Sequence, residues 1–472
     1  MANSVAKNFS FNLVGNLLSK ALAFVLYAYM AHVFGSGTFG QYNVASAEYG
    51  YFAMFAALGV NSYGLYLLAK EKDREAQQEI VSNIFSAELI SGALATVLLV
   101  AYIVCFPGSH KYTLPYAIVL LAQGMFVDWV FVALQDMAFS AFANVFSYAI
   151  NIALIFLLSY TDTTDVTQLV MSTALSTVLM YVFLCVMMKT RHGLTMRPHK
   201  VDFFTYVKKG APFMASGIFA GINANIDIII MGFTIGASEI GYYSADYKLI
   251  NMLISLCGVL FTAVYPKMIE HYGKGDYQYA CDTCSILRTA LLAFIIPCLI
   301  LGTKYSGPVL ELLFGDEFSR GAAAFNILLI YVLLVYYREL FGYTLTSSGN
   351  QSAYMRIVMI SASVNFGANM IVIPRFGIIG AAIVTLCSEL INLFLMRAYA
   401  KSELKFSMSN VRLGRLAIVT AIYIIGVQII GRLIPSFILA IIVDCVLYLV
   451  IAMALGLITK EMLVTLKQVV GR

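Results

Sequence analysis

The sequence predicts an all-α, polytopic membrane protein with about 14 transmembrane helices. Of its 472 residues, 61% are hydrophobic and only 12% are charged, whereas a soluble globular chain carries about 25% charged residues. The mean hydropathy is +0.84. Long apolar runs recur along the whole chain, and basic residues gather in alternate connections between them. These observations exclude a chain made of several soluble domains.

The apolar runs define the predicted helices. A transmembrane helix needs about 20 mostly apolar residues, and fourteen such runs lie between polar, glycine or proline breaks. They cover residues 9–34, 41–69, 80–106, 112–135, 138–159, 167–188, 210–235, 244–271, 286–304, 321–346, 352–373, 376–400, 412–432 and 435–457. The first run is too long for the hydrophobic region of a cleavable signal peptide, so we expect none.

The distribution of lysine and arginine predicts the orientation of these helices. With the N-terminus in the cytoplasm and the segments alternating, 21 of the 30 basic residues lie on the cytoplasmic side and 5 on the outside. Cytoplasmic connections of membrane proteins carry such an excess. The sequence therefore predicts that both termini are cytoplasmic.

A short phrase occurs twice at equivalent topological positions. "VFGSGTFGQYNVA" spans residues 33–45 and "TIGASEIGYYSAD" spans residues 234–246; Gly35, Gly40 and Tyr42 match Gly236, Gly241 and Tyr243. Each phrase ends the first helix of a six-helix block at the outer surface. Glycines there suit a tight turn and close helix approach. A fainter echo pairs Ser147 and Asn151 with Ser361 and Asn365.

The repeat predicts the domain organisation. Because six is an even number, both blocks start in the cytoplasm, and the two bundles are related by a pseudo-twofold axis along the membrane normal. Repeats of this kind place a substrate site at their interface. We predict an N-terminal six-helix lobe (1–188), a cytoplasmic linker (189–209), a C-terminal six-helix lobe (210–400), and two additional helices with a cytoplasmic tail (401–472).

Charged residues within the spans are the candidate functional groups, because they are costly in a bilayer and usually face a cavity or a partner. The cations are Lys20, Lys248, Arg338 and Arg356, and the acids are Glu48, Glu88, Asp128, Asp227, Asp246, Glu339, Glu389 and Asp444. Lys20 lies roughly 16 Å into the first span, near the midplane. Asn12, Asn16 and Lys20 share one helix face, and Asn223 and Asp227 share a face of the seventh span. These polar stripes predict a hydrated central cavity.

Structural roles compete with each of these interpretations. Lys20 could form a salt bridge with Glu48 or Asp128, and Arg356 could extend to the cytoplasmic surface. Lys248 and Asp246 could form a local ion pair. Arg338 and Glu339 point about 100° apart on a helix and need not pair. Asp444 could serve only to hold the additional helices together.

Catalytic chemistry is not predicted. Cys281 and Cys284 form one CDTC segment, but no second pair completes a metal site. The five histidines show no spacing typical of a Ser/His/Asp or metal centre. We therefore expect neither an enzyme nor a cofactor, and no nucleic-acid partner.

Three segments resemble one family of transporters. "VKKGAPFMASGIFAGINANIDIIIMGFTIGASEIGYYSADYKLINML" (207–253), "LTSSGNQSAYMRIVMISASVNFGANMIVIPRFGIIGAAIVTLCSELINLFL" (345–395) and "FNLVGNLLSKALAFVLYAYMAHVFGSGTFGQYNVAS" (11–46) are similar to helices of Wzx-like polysaccharide flippases. These flippases belong to the multidrug/oligosaccharidyl-lipid/polysaccharide exporter superfamily. The resemblance covers nearly the whole chain and is a pattern of helices and turns.

The resemblance implies a function. An undecaprenyl-diphosphate-linked oligosaccharide would pass from the cytoplasmic to the outer leaflet of the bacterial plasma membrane by alternating access, for O-antigen, capsule or exopolysaccharide synthesis. Implied partners are a polysaccharide polymerase and a chain-length regulator. Candidate substrate-binding residues are Lys20, Asn16, Lys248, Arg338, Arg356 and Asn223; Asp227, Glu48 and Asp128 are candidates for coupling to protons or sodium. A peptidoglycan-precursor flippase and a cation-coupled multidrug antiporter of the same superfamily remain alternatives.

Overall fold

The computed structural model describes residues 2–160, 165–409 and 412–459, and every regular element in these ranges is a helix. The α-helices are α1 (Ala2–Ala57), α2 (Val60–Leu68), α3 (Arg74–Cys105), α4 (Ala117–Leu121), α5 (Asp128–Ala133), α6 (Met137–Leu158), α7 (Val166–His192), α8 (Phe203–Thr234), α9 (Ala237–Gly273), α10 (Tyr277–Lys304), α11 (Ser306–Phe314), α12 (Ala322–Ser347), α13 (Gln351–Glu403), α14 (Leu413–Leu433) and α15 (Phe437–Ala454). Short 3-10 helices span Ser109–Tyr116, Gln123–Met125 and Asp316–Gly321.

The predicted fold class is confirmed: the chain is an all-α, multi-pass membrane protein. Among the described residues, nine helices are long and apolar enough to cross a membrane, or ten if one bent pair counts as a span. Large apolar side chains point outward from these helices, as Val97 (65% exposed), Leu157 (66%) and Phe394 (63%) illustrate. Outward apolar surface on this scale suits a hydrocarbon surrounding and not water.

Two of the long helices each contain two predicted spans. Inside α1, Gly35 has φ 75° and ψ 170°, and inside α13, Gly377 has φ 53° and ψ −140°. Glycine adopts positive φ at little cost because it lacks a Cβ. The turns expected after the first and eleventh spans are therefore kinks at single glycines. At the second copy of the phrase two separate helices meet instead of one kinked helix: α8 ends at Thr234 and α9 begins at Ala237.

The fourth predicted span, 112–135, is broken. Residues 110–121 and 123–133 form two helical pieces that are bent by 52°. The bend lies at Ala122, between α4 and the second 3-10 helix (Gln123–Met125). The break brings a short helical segment, rather than a straight rod, to the side of α3.

Contacts within the chain define two compact units, residues 1–244 and 245–472. In the first unit, the second half of α1 runs along α8. A Cβ built on Gly232 would lie 2.9 Å from Val44 Cγ1, and Gly59, just after the end of α1, packs its backbone against Gly210. The Tyr51 hydroxyl donates to the Gly221 carbonyl at 3.0 Å. We call this contact the α1–α8 seam.

The linker between the predicted lobes is held against α3. Gln78 accepts a hydrogen bond from the Thr195 amide at 2.9 Å, and the His199 amide donates to the Ser86 hydroxyl at 3.2 Å. Asp202 then caps α8, accepting from the amide of Thr205 at 3.3 Å and its hydroxyl at 2.6 Å. These two bonds lower the pKa of Asp202, because they stabilise its charged form.

In the second unit, α12 packs on α13 and α10, and α14 and α15 pack on α10. The Tyr448 hydroxyl donates to the Ala293 carbonyl at 2.6 Å. Lys304 Nζ lies 3.9 Å from Asp444 Oδ2, and Asp444 is fully buried. The two additional helices are thus attached to α10 by polar contacts as well as by an apolar cluster around Tyr423.

The boundary between the compact units, after Ser244, differs from the predicted lobe boundaries. Helix α8 opens the predicted C-terminal lobe, yet it packs with α1 and α2 in the first unit. Compactness and internal repetition are different properties, so the division at 188, 209 and 400 stays a prediction.

Candidate functional site

A cluster of polar side chains surrounds the Glu48 carboxylate in the first unit. Glu48 lies on α1 and is 2% exposed. It accepts hydrogen bonds from the Tyr102 hydroxyl at 2.8 Å, from the Thr113 hydroxyl and from His110 Nδ1. The Tyr102 hydroxyl also lies 3.1 Å from His110 Nδ1. We call these four residues the Glu48 cluster; a predicted coupling acid therefore has three specific partners.

Three elements carry the residues of the Glu48 cluster, and a fourth packs against it. α1 carries Glu48, α3 carries Tyr102, and the first 3-10 helix carries His110 and Thr113. Phe233, near the end of α8, stacks on the His110 ring at 4.2 Å between centroids. The imidazole is only 5% exposed. All these segments lie at the end of the unit that the sequence predicts to be the outer one.

The Glu48 cluster brings a carboxylate and an imidazole into direct contact at a buried position. The neighbours of Glu48 are two hydroxyls and a ring nitrogen, all of which can donate hydrogen bonds. Carboxylate and hydroxyl oxygens are also the ligand type that hard cations bind.

Asp227, a second predicted coupling residue, lies elsewhere in the first unit. It is 5% exposed on α8, and it accepts from the Tyr243 hydroxyl at 2.7 Å and from the Ile228 amide at 2.9 Å. Tyr243 belongs to the second copy of the repeated phrase. Its counterpart Tyr42 is also buried, with its hydroxyl 3.1 Å from that of Thr173. Both tyrosines of the phrase therefore satisfy polar groups inside the helices.

Lys20 and Asn16 both lie on the exposed surface of α1, one helical turn apart. Among the described residues Lys20 forms no ion pair, so the alternative salt bridge with Glu48 or Asp128 is not present. Asp128 is half-buried at the first position of α5. The structure thus separates Lys20 from the acids that were its candidate structural partners.

Arg338 on α12 lies between two carboxylates of the second unit. Its Nε donates to Glu389 Oε1 at 2.7 Å, and its terminal nitrogen donates to Glu339 Oε1 at 2.9 Å. Glu389 also accepts from the Asn392 amide at 3.3 Å. The sequence left open whether Arg338 pairs with its neighbour Glu339, and in the structure the two residues do pair. The 100° separation describes where the side chains leave the helix, and an arginine is long enough to turn back.

The remaining predicted cations differ in their surroundings. Arg356 is exposed on α13, and its Nε donates only to the Ser352 carbonyl of its own helix at 3.3 Å within the described residues. Lys248 is half-buried on α9. The side chain of Asn223 lies outside the described part of α8.

Asp246 is not paired with Lys248 in the structure. It is fully buried, and neither carboxyl oxygen has a hydrogen-bond partner among the described residues. A Cβ built on Gly321, the residue before α12, would lie 2.9 Å from Asp246 Oδ1. A side chain in place of Gly321 would therefore have to displace this carboxyl group at the start of α12.

The fainter sequence echo corresponds to the same contact in each unit. The Asn151 amide on α6 donates to the Thr173 hydroxyl on α7 at 3.1 Å. The Asn365 amide in the first half of α13 donates to the Ser388 hydroxyl in the second half, also at 3.1 Å. In each unit, an asparagine of the fifth helix of a predicted block therefore binds a hydroxyl of the sixth.

Sequence reasoning did not identify His110, Tyr102 or Thr113 as partners of Glu48. His110 and Thr113 are 62 and 65 residues from Glu48 along the chain, and no motif or periodicity links such distant positions. The only usable signal was a histidine placed at the predicted outer edge of a span.

These features define a multi-pass membrane protein with buried, partnered charges in its helices. Residues 5–271 match the family profile described as "Polysaccharide biosynthesis protein". The match covers more than half of the chain, and the chain belongs to this family.

Two curated relatives carry flippase names. The chain is 24% identical over 212 residues to the "Probable low-salt glycan biosynthesis flippase Agl15" of Haloferax volcanii, covering 44% of each chain. It is 22% identical over 405 residues to the "Probable flippase AglR" of the same organism, covering 82% of each. The match therefore spans less than half the length of the first relative and most of the second.

Among solved structures, the fold is similar to "Lipid II flippase MurJ, inward closed conformation". The TM-score is 0.77 at 14% identity, covering 93% of this chain and 97% of that one. At this identity the likeness concerns the fold alone.

Proposed function

We propose that the protein is a flippase that moves undecaprenyl-diphosphate-linked oligosaccharide units from the cytoplasmic to the outer leaflet of a bacterial plasma membrane. The observation that carries the proposal is membership of the polysaccharide biosynthesis protein family over residues 5–271, in a chain built of membrane helices. The protein acts as a transporter and not as a catalyst, and the movement follows alternating access between two repeated lobes.

The diphosphate is the part of such a substrate that crosses a bilayer least readily without a protein. Moving a dense anion through a layer of low dielectric carries a large desolvation cost, which cations along the path offset. Within the described residues, Lys20 and Arg356 are intramembrane cations without a carboxylate partner, whereas Arg338 already binds Glu389 and Glu339. We therefore assign the diphosphate contact to Lys20 first, with Asn16 one turn away on the same helix.

The coupling ion in this proposal is a proton, and the Glu48 cluster carries it. Protonation would remove the negative charge of Glu48 and weaken its bonds to Tyr102 and His110. Those bonds join α1 to α3 and to the first 3-10 helix, so their loss would weaken the attachment of α1 to these two elements. The seam between α1 and α8 lies directly beside this cluster through Phe233.

A genetic experiment tests the function. A strain that lacks the protein should accumulate lipid-linked oligosaccharide on the cytoplasmic leaflet and lose the surface polymer, and the intact gene should reverse both effects. A strain depleted of its peptidoglycan-precursor flippase provides the second arm. Rescue of that strain, without any effect on surface polymer, would favour the peptidoglycan-precursor alternative and contradict the proposal.

A further inference from the structure

A cavity of about 510 Å³ lies at the end of the second unit that is predicted to be cytoplasmic. Three elements line it: the early part of α10, the middle of α12, and the end of α13 with the segment that follows. The lining residues are Arg288, Tyr337, Phe341, Arg397, Lys401, Lys405, Phe406, Ser407 and Met408. This cavity belongs to none of the groups assigned above to substrate or proton.

The charged residues that line the cavity are all positive. Four of its lining residues are cations, and none of the residues that line it is an acid. Four positive charges this close repel one another, and that repulsion costs free energy unless an anion or water screens it. A surface designed only for solubility would intersperse both signs of charge.

The burial of Arg288 distinguishes this cavity from an ordinary cytoplasmic surface. Arg288 is 3% exposed, although it lies among three lysines and arginines that are exposed. One terminal nitrogen donates to the Ser409 carbonyl, but Nε has no acceptor among the described residues. A buried guanidinium N–H without a protein acceptor costs free energy, so this group favours the binding of an anion.

The segment after α13 is anchored so that it forms one wall of the cavity. The Ser409 amide donates to the Ser285 hydroxyl at 3.0 Å, and the Phe406 ring packs on Phe341 at 5.9 Å between centroids. The simplest structural role of Arg288 is to hold this segment through Ser409. That role uses a single nitrogen and leaves Nε and the three exposed cations unexplained.

We propose that this cavity is a binding site for a phosphate-bearing anion. Arginine binds phosphate oxygens through paired N–H donors, and lysine binds them as a point charge. Arg397 and Lys401 are one helical turn apart on α13, so both can meet the same group that Arg288 binds from α10. The anion would tie α10 to the end of α13. The proposal does not depend on the transport function, because binding alone tests it.

Two sources could supply this phosphate group, and the experiment separates them. Full-length protein in a neutral detergent is titrated with sodium pyrophosphate, and binding is followed calorimetrically. In parallel, native mass spectrometry compares the retention of phosphatidylglycerol with that of phosphatidylcholine. The test variant is R397Q/K401Q, which changes two exposed side chains. The control K189Q/K200Q removes two exposed cations from the same predicted side of the first unit.

We expect pyrophosphate or phosphatidylglycerol, or both, to bind the wild-type protein. R397Q/K401Q should weaken that binding roughly tenfold or more, because two charge-assisted contacts are lost, and K189Q/K200Q should leave it within about twofold. If R397Q/K401Q loses binding of pyrophosphate only, the ligand of the cavity is a soluble anion. If it loses binding of phosphatidylglycerol only, the ligand is a lipid headgroup. Absence of binding by both probes, or equal loss in both variants, would overturn the proposal. R288Q, if it folds, should behave like the test variant.

Discussion

Gly40 and Gly241, which hold the same position in the two copies of the repeated phrase, pack against each other. A Cβ built on Gly40 would lie 2.8 Å from the Gly241 amide nitrogen, and one on Gly241 would lie 2.8 Å from the carbonyl carbon of Ser36. The phrase is therefore repeated at a place where its two copies are in contact. Neither glycine has positive φ, so close approach is the property that each position requires.

We expect Gly40→Val and Gly241→Val each to destabilise the first unit. The added side chain overlaps backbone atoms that cannot rotate away, and overpacking of this kind costs about 1–3 kcal/mol. The loss should appear as a lower melting temperature in detergent and lower abundance in the membrane. Gly236→Ala is the matched control, because a Cβ there would meet nothing within 4 Å. Unchanged stability in both valine variants would show that the paired glycines impose no packing constraint.

Glu48→Gln should abolish the response of transport to a pH gradient. The amide keeps the size of the carboxyl and one acceptor oxygen, so it can still accept a hydrogen bond from either Tyr102 or Thr113, but it cannot titrate. Translocation in proteoliposomes should therefore become equal with and without an imposed gradient. Asp128→Asn makes the same chemical change at another predicted coupling acid, and it should retain the response. If Asp128→Asn loses the response and Glu48→Gln keeps it, the assignment of the proton site is wrong.

The contact of Lys304 with Asp444 should stabilise the attachment of α14 and α15 to α10. Lys304→Gln, Asp444→Asn and the double variant form a double-mutant cycle. Polar contacts between membrane helices couple by about 0.6 kcal/mol and up to about 1.7 kcal/mol, so we expect a coupling within that range. Reversible unfolding in mixed micelles measures it. A coupling of zero would mean that the apolar cluster around Tyr423 holds these helices without the ion pair.

The predicted topology can be tested at two exposed residues. In a background without reactive native cysteines, Lys200→Cys should be labelled only after the membrane is permeabilised, because the linker is predicted to be cytoplasmic. Arg432→Cys, at the end of α14, should be labelled from outside in intact cells. Labelling of Lys200→Cys from outside would reject the orientation that the basic residues predict.

The predictable part of the fold is the part set by local sequence. Apolar runs and their glycine breaks depend on neighbouring residues, so helices were expected near the right positions, and the polar echo of Asn151 and Asn365 corresponds to equivalent contacts. The exact form of a break was not predictable. The same phrase produces a kink at Gly35 inside α1 and a short non-helical connection between α8 and α9 after Thr234.

The candidate site was predictable only as a list of charged residues. Burial in a span marked Glu48 and Asp227, but their partners come from distant segments that only the folded chain brings together. The pairing of Arg338 with Glu389 joins residues 51 positions apart. Sequence periodicity describes one helix face at a time, so it could not show which cations are already neutralised.

We expect substitutions of Lys20 to impair transport without impairing folding. Lys20→Arg should retain part of the activity, since either cation can bind phosphate oxygens. Lys20→Ala should abolish translocation with normal membrane abundance, because the exposed lysine has no ion-pair partner among the described residues. Lys20→Glu should be at least as severe, since it sets two anions against each other. A stable Lys20→Ala protein that supports normal surface polymer would contradict the assignment.

The central claim is that this chain by itself moves a lipid-linked oligosaccharide across a bilayer. The most direct measurement places purified full-length protein in liposomes that carry undecaprenyl-diphosphate-linked oligosaccharide from the strain lacking the protein, and follows the access of an external glycosidase to the sugar. We predict that the fraction of sugar cleaved rises with time beyond the pool that was initially exposed, and that Lys20→Ala vesicles do not show this rise. Cleavage that stays at the level of protein-free liposomes would contradict the account.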